Sequence, residues 1–207
     1  ISPIFGWQSF EAKGLGAFSM FSSAPTKLTN NGADTALGYG GRIGYHGKFG
    51  EYFGVGASYQ TKIAMGEFDD YAGLYAEQGG FDVPANWSIG VSIMPNKCWI
   101  IAADVQQIFY SDIKSIANPM LPNLMQAPLG ADNGAGFGWE DVTVYKIGAQ
   151  YQASDSWTLR AGYAHCTQPV QESEVLFNIL APGVIEDHVT VGASRLLSPK
   201  SAVHFAL

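Results

Sequence analysis

The chain alternates apolar and polar residues with a period of two in one segment after another, and this pattern limits its fold more than any other feature. In a typical segment, Trp87, Ile89, Val91 and Ile93 are separated by serine and glycine residues. A period of two indicates a β-strand with one apolar face and one polar face. The sequence therefore predicts an all-β protein.

The alternating segments predict eight strands and a weaker one before residue 13, joined by connections of alternating length. The strands lie at about 36–47, 52–63, 86–94, 98–110, 141–152, 157–168, 187–197 and 202–207. The short connections are 48–51, 95–97, 153–156 and 198–201, and the long ones are about 13–35, 64–85, 111–140 and 169–186. Outer-membrane barrels have short turns at one end and long loops at the other. The pattern thus favours an antiparallel transmembrane β-barrel.

Except for Arg195, the charged residues in the middle of the predicted strands fall on the glycine- and serine-rich side. They are Arg42, Lys62, Asp104, Lys146 and Arg160. Arg195, beside the turn at Ser198, is on the apolar side and can reach the membrane interface from there. The opposite side carries residues such as Tyr59 and Ile63. Because a basic residue facing lipid at the bilayer midplane costs roughly 2–4 kcal/mol, we expect the apolar side to face lipid and the polar side to line the lumen.

Two other protein classes also show alternating strands. A soluble β-sandwich, acting as a binding module or adhesin, would turn its apolar face inward and stay in the aqueous fraction without detergent. A general porin would have the same membrane topology and would give a large, steady conductance. Both remain alternatives at this stage.

Composition and motif spacing argue against several other functions. The net charge of −7 does not suit a nucleic-acid-binding protein, which presents a basic face. The four histidines lack the spacing of a zinc site, and no set of residues predicts a catalytic centre. We therefore predict no enzymatic activity, no cofactor and no metal.

The two cysteines are predicted to remain free thiols. Cys98 lies at a short turn, whereas Cys166 ends a strand beside a long loop. The predicted topology places them at opposite ends of the barrel wall, and a disulfide requires Cα atoms within about 7 Å.

Several longer segments resemble the FadL/TodX (OmpP1) family of outer-membrane transporters. These segments are 68–86, 118–125, 132–146 and 177–192. The resemblance implies a fourteen-stranded barrel plugged by an N-terminal hatch, located in the bacterial outer membrane. Because the hatch and several strands have no counterpart here, we expect residues 1–207 to form one barrel domain of about nine strands, truncated at both ends.

The resemblance also implies the function, which is uptake of hydrophobic small molecules. Family members take up long-chain fatty acids or, in other branches, aromatic hydrocarbons, and we expect fatty acids first. The implied partners are the hydrophobic ligand, membrane lipid and lipopolysaccharide, and the barrel is expected to be monomeric.

Three groups of residues are candidates for ligand contact. In loop 111–140 and loop 169–186 they are apolar, as suits an exposed loop that captures a hydrophobic ligand: Met120, Leu121, Leu124, Met125, Phe137, Trp139, Phe177 and Leu180. In the lumen they are basic and can hold a carboxylate by charge-assisted hydrogen bonds: Arg42, Lys62, Lys146 and Arg160. The alternative is that the apolar residues only pack against neighbouring loops and that the basic ones pair with Asp104 and Glu186.

Overall fold

Nine long strands and one short strand form a single antiparallel sheet in which each long strand pairs with the next long strand along the chain. The computed structural model of the protein describes residues 1–121 and 123–207. The strands are β1 Ser2–Phe10, β2 Asp34–Phe49, β3 Phe53–Gln60, β4 Ala64–Met65, β5 Asn86–Asn96, β6 Trp99–Ile108, β7 Val142–Gln152, β8 Trp157–Cys166, β9 Asp187–Ser198 and β10 Ser201–Ala206. Within the described residues, β1 and β10 are the two edges, so the sheet is open.

The prediction of an all-β antiparallel wall is confirmed, and the predicted strands differ from the observed ones mainly at their ends. The helices are short segments of three to six residues within the loops. The α-helical turns are α1 Ala76–Gly79, α2 Lys114–Ala117, α3 Asn123–Gln126 and α4 Val175–Asn178, and the 3-10 turns are Gly16–Phe21, Pro25–Lys27, Asp69–Tyr71, Tyr110–Asp112 and Glu172–Glu174. In the described part of the chain no helix has the length and apolar character needed to span a membrane.

The long connections all lie at one end of the sheet, because consecutive antiparallel strands reverse direction. We name them loop A (11–33), loop B (61–85), loop C (109–141) and loop D (167–186). The other end carries only short turns. Cys98 lies in one of these turns and Cys166 ends β8 beside loop D, so the two cysteines are at opposite ends as expected.

The strand register keeps residues of the same face opposite one another on neighbouring strands across the sheet. Directly opposite residues point to the same side of a sheet, and Gly56, Gly90, Asp104 and Lys146 are opposite one another in turn on β3, β5, β6 and β7. Large apolar side chains on the other face are exposed: Leu37, Tyr39, Ile89, Ile147, Leu159, Tyr163 and Val191. The division into an apolar outer face and a polar inner face is therefore confirmed for the strands.

Two residues after β3 depart from the prediction. Because β3 ends at Gln60, Lys62 belongs to loop B, where its Nζ lies 2.6 Å from an Asp82 carboxylate oxygen. Ile63, which was assigned to the lipid face, is buried against the inner-face glycines Gly6 and Gly40.

The alternation fails here because the chain bulges out after β3 and then pairs again with β2, the same neighbouring strand, one residue out of register. Gln60 lies opposite Arg42, but Ala64 lies opposite Tyr39. Met65 of β4 lies opposite Gly38 of β2, and its side chain occupies the space that a Cβ at that glycine would need. The period of two holds only while the register is unbroken, so this one-residue shift reverses which residues face inward.

Candidate functional site

A cavity of about 870 Å³ lies at the loop end of the sheet, between the upper part of β1 and the four long loops. Gln8 and Phe10 on β1 form part of its wall. The remaining wall is largely aliphatic and aromatic, and its main apolar members are Leu15, Phe18, Leu74, Tyr75, Phe81, Ile116, Leu129, Phe137, Trp139, Leu176, Phe177, Ile179 and Leu180. Such a concave apolar space at one end of a barrel is a typical small-molecule site.

The first three loops are joined by backbone hydrogen bonds around Leu129 and Gly130. Leu129 donates to the carbonyl of Phe21 and accepts from Ser23, at 2.7 and 2.9 Å. Gln78 of loop B donates its backbone N–H to Gly130 at 3.0 Å. These bonds satisfy backbone groups that would otherwise be buried without partners. The cavity wall is therefore built from loops that support one another.

An aromatic cluster packs one side of the cavity. The ring of Phe10 lies 4.9 Å from the rings of both Tyr71 and Tyr75, and Tyr75 lies 4.9 Å from Phe81. Burial raises the pKa of Tyr75 above its ordinary value, so its hydroxyl stays protonated and uncharged. The cluster gives the cavity an apolar wall that carries an uncharged polar group.

The predicted apolar residues separate into three groups. Phe137, Trp139, Phe177 and Leu180 line the cavity. Met120 is buried in the cluster that supports it, and Leu124 packs against that cluster. Leu121 and Met125 are 50% and 75% exposed and point away from this packing.

The predicted basic residues lie outside the cavity wall. On the inner face of the sheet, Arg42 donates to Ser58, Lys146 to Gln106, and Arg160 to Gln150 and Ser194. Among the described residues their hydrogen-bond partners are therefore neutral, and the pairing with Asp104 or Glu186 is not seen.

The charged groups that border the cavity are paired instead. Lys62 binds Asp82, which lines the cavity, and the hydrogen bond from Lys62 to this carboxylate raises the pKa of Lys62. Lys13 and Glu11 also line the cavity, and their charged groups are 2.8 Å apart. The cavity therefore offers an apolar ligand a surface whose charges are already neutralised.

Farther from the loops, the inner face forms a second, more polar groove of about 490 Å³. It crosses β2, β3, β5 and β6 and is lined by glycines together with His46, Ser58, Ser88, Ser92 and Asp104. Small residues at these inner positions leave room between the side chains. The inner surface thus changes from apolar under the loops to polar along the wall.

Three polar residues at the site were not singled out from the sequence: Gln8, Glu174 and Asn178. Gln8 lies on the inner face of β1 together with Gly6 and Phe10, and this two-residue spacing is the signal that could have identified it. Its Oε1 atom is buried and has no hydrogen-bond partner among the described residues. Glu174 and Asn178 are each only 5% exposed although they lie in a loop.

Replacing Gln8 by methionine is expected to stabilise the protein. A buried polar atom without a partner costs roughly 1–3 kcal/mol, and methionine has a similar shape without that cost. We expect Gln8→Met to raise the free energy of unfolding in urea by about 1 kcal/mol. Gln152→Met is the control, because Gln152 already accepts a hydrogen bond from Thr158 and should lose stability when replaced.

The outward apolar face, the inward polar face and the long loops at one end define this chain as part of an outer-membrane β-barrel. The sequence profile of the outer membrane protein transport protein family (OMPP1/FadL/TodX) matches residues 8–206. The chain belongs to this family of outer-membrane proteins.

Solved structures of similar fold agree with this assignment. A TodX ΔS2S3 mutant, described as a monoaromatic hydrocarbon channel, has a TM-score of 0.65 and 23% identity, and the match covers 86% of this chain and 46% of the mutant's chain. The P. putida toluene transporter TodX has a TM-score of 0.61 and 20% identity, and the match covers 97% of this chain and 50% of the transporter's chain. A Pseudomonas aeruginosa FadL homologue has a TM-score of 0.58 and 16% identity, and the match covers 99% of this chain and 52% of the homologue's chain.

The chain thus spans about half the length of these structures, and identities at this level show a shared fold. Comparison with curated protein sequences gave no match.

Proposed function

We propose that the protein carries hydrophobic small molecules across the outer membrane and that the cavity beneath the loops receives them. The observation that carries this proposal is the aliphatic and aromatic wall of the cavity of about 870 Å³ at the loop end of the sheet. A ligand that leaves water for this space gains roughly 25 cal/mol for each Å² of apolar surface that it buries.

Long-chain fatty acids are the first substrate class that we propose. An apolar chain suits the cavity, and the inner face carries Arg42, Lys146 and Arg160 with neutral partners among the described residues. A guanidinium or ammonium group with neutral partners can still bind a carboxylate through charge-assisted hydrogen bonds. A fatty acid that moves from the cavity toward the sheet would therefore meet cations along the wall.

Aromatic hydrocarbons are the second class. Two observations favour them: the aromatic side chains of the cavity wall, and the pairing of its charged groups with one another. Aromatic rings pack well against other rings in offset or edge-to-face geometry. The similar structures described as channels for toluene or monoaromatic hydrocarbons are consistent with this class.

Fluorescence quenching of Trp139 tests the cavity directly. A bromine atom quenches a tryptophan that it contacts, and within the described residues Trp139 is the tryptophan that lines the cavity. We expect a brominated long-chain fatty acid, bromobenzene or both to quench the tryptophan fluorescence of the full-length protein in detergent, with a saturable dependence on concentration. The Trp139→Phe variant should lose this saturable quenching. Trp157→Phe is the control, because Trp157 lies on the outer face, opposite Arg195.

The basic residues distinguish the two substrate classes. Loss of a hydrogen bond to a charged group costs roughly 1.5–3 kcal/mol. Among Arg42→Gln, Lys146→Gln and Arg160→Gln, each variant that removes a cation bound to the carboxylate should therefore weaken fatty-acid binding by on the order of tenfold. Bromobenzene binding should not change. Undiminished fatty-acid binding by these variants and by Lys62→Gln would rule out the carboxylate role, and no Trp139-dependent quenching by either probe would rule out the cavity.

A further inference from the structure

Loop D is joined to loop C by the buried side chain of Asn178. Its Oδ1 accepts a hydrogen bond from Trp139 Nε1 at 2.5 Å. Its Nδ2 donates to the backbone carbonyl oxygens of Phe137 at 2.7 Å and Glu174 at 2.8 Å. One amide therefore connects α4 of loop D to Phe137 and Trp139, two of the loop C residues that line the cavity.

The side chain of Glu174 makes a second connection between the same loops. Its Oε2 accepts the backbone N–H of Met120 at 2.7 Å, and Met120 belongs to the buried cluster that supports the cavity. The Glu174 side chain lies against Gly138, where an added Cβ would overlap it and where φ is +66°. Glycine at position 138 thus permits the carboxylate to reach loop C.

These two connections matter because most of the apolar side chains between and after them are exposed, although Gly183 also lies against the Trp139 ring. The helix α4 has four residues, and helices this short are not stable in isolation. Leu176, Ile179 and Leu180 are each more than 60% exposed although they border the cavity, so packing holds them weakly. Phe177 does pack, with its ring 6.2 Å from that of Phe18.

We propose that Glu174 and Asn178 are positioning residues: they hold loop D against loop C and thereby place Phe177 and Leu180 in the cavity wall. They do this without contacting the ligand, since neither lines the cavity within the described residues. The inference rests on the proposed function, in which the cavity receives a hydrophobic ligand. Its consequence is that two buried polar groups set the affinity of an apolar site.

The test compares alanine variants that differ in whether they break the connection between the loops. Asn178→Ala and Glu174→Ala should each weaken binding of bromobenzene or the brominated fatty acid, read from Trp139 quenching, by on the order of tenfold. Asn118→Ala is the matched control, because Asn118 donates to the carbonyls of Asp132 and Gly134 and so acts within loop C. It should leave the affinity within about twofold of the wild type.

A conservative variant separates positioning from general destabilisation. Glu174→Gln keeps an oxygen that can accept the Met120 N–H, so it should retain most of the affinity that Glu174→Ala loses. Equal affinities for Asn178→Ala, Glu174→Ala and Asn118→Ala would overturn the proposal, as would equal losses in Glu174→Gln and Glu174→Ala.

Limited proteolysis keeps the proposal testable if a variant binds no ligand at all. Chymotrypsin should cut at Phe177 several times faster in Asn178→Ala than in Asn118→Ala, because only the first variant releases loop D. Equal cleavage rates would contradict the proposal. Wild-type protein that shows no Trp139-dependent quenching would instead contradict the proposed function, while the cleavage rates would still test whether the side chains hold the loop.

Discussion

Replacing Val191 by lysine is expected to lower the stability of the barrel in a bilayer by roughly 2–4 kcal/mol, because this puts a charge on the lipid-facing side near the middle of β9. Val191 is 51% exposed and lies opposite Ala161 of β8 on the outer face. Urea titration of the full-length protein in lipid vesicles measures the change, and folding yield into the same vesicles should fall with it.

The neighbouring residue provides a control with nearly the same chemistry. Thr190 is also β-branched but faces the lumen, opposite Gly162. Thr190→Lys changes strand propensity in a similar way, an effect of about 1 kcal/mol or less, and leaves the new charge in a polar environment. Equal destabilisation by Val191→Lys and Thr190→Lys would contradict the assignment of the two faces.

Gly130→Ala is expected to destabilise the loop assembly by roughly 2–5 kcal/mol, since two separate costs add. The φ of Gly130 is +87°, which strains any residue with a Cβ. An added Cβ would also overlap the Ala72 carbonyl oxygen and crowd Ser23 Oγ at the junction of loops A, B and C. The brominated probes should no longer bind in the cavity and quench Trp139 fluorescence, while the sheet continues to fold.

Gly14→Ala separates the two costs. Gly14 has a similar φ of +80°, but no atom lies within 4 Å of where its Cβ would be. We therefore expect only the conformational cost, about 1–2 kcal/mol, with ligand binding retained. Hydrogen exchange of the loop amides measures both variants, and similar exchange in Gly130→Ala and Gly14→Ala would show that crowding at Gly130 is unimportant.

The strands and their two faces could be predicted because each depends on residues that are close in sequence. The alternation through Trp87, Ile89 and Val91 is local, and the observed β5 contains all of it. The polar side of the alternation likewise placed Arg42, Asp104, Lys146 and Arg160 on the inner face. Lys62 and Ile63 were misplaced because the chain bulges after Gln60 and pairs again with β2 one residue out of register, where Met65 fits against the distant Gly38.

The candidate site was only partly predictable for a related reason. Apolar loop residues such as Phe137, Trp139 and Phe177 could be recognised as unusual in exposed connections. Composition alone does not distinguish Trp139, which lines the cavity, from Met125, which points to solvent. The polar residues Glu174 and Asn178 gave no sequence signal, because their roles depend on partners that are 39 or more residues away.

By itself, the sequence determined the strand pattern, the lipid-facing side and the family, because the period of two and the family segments are properties of consecutive residues. Only the tertiary structure decided where the cavity lies, which loop residues form it and how its charges are paired. The physical reason is that four loops, separated in sequence by whole strands, are brought to one end by antiparallel pairing and then fit together through specific hydrogen bonds and close glycine contacts.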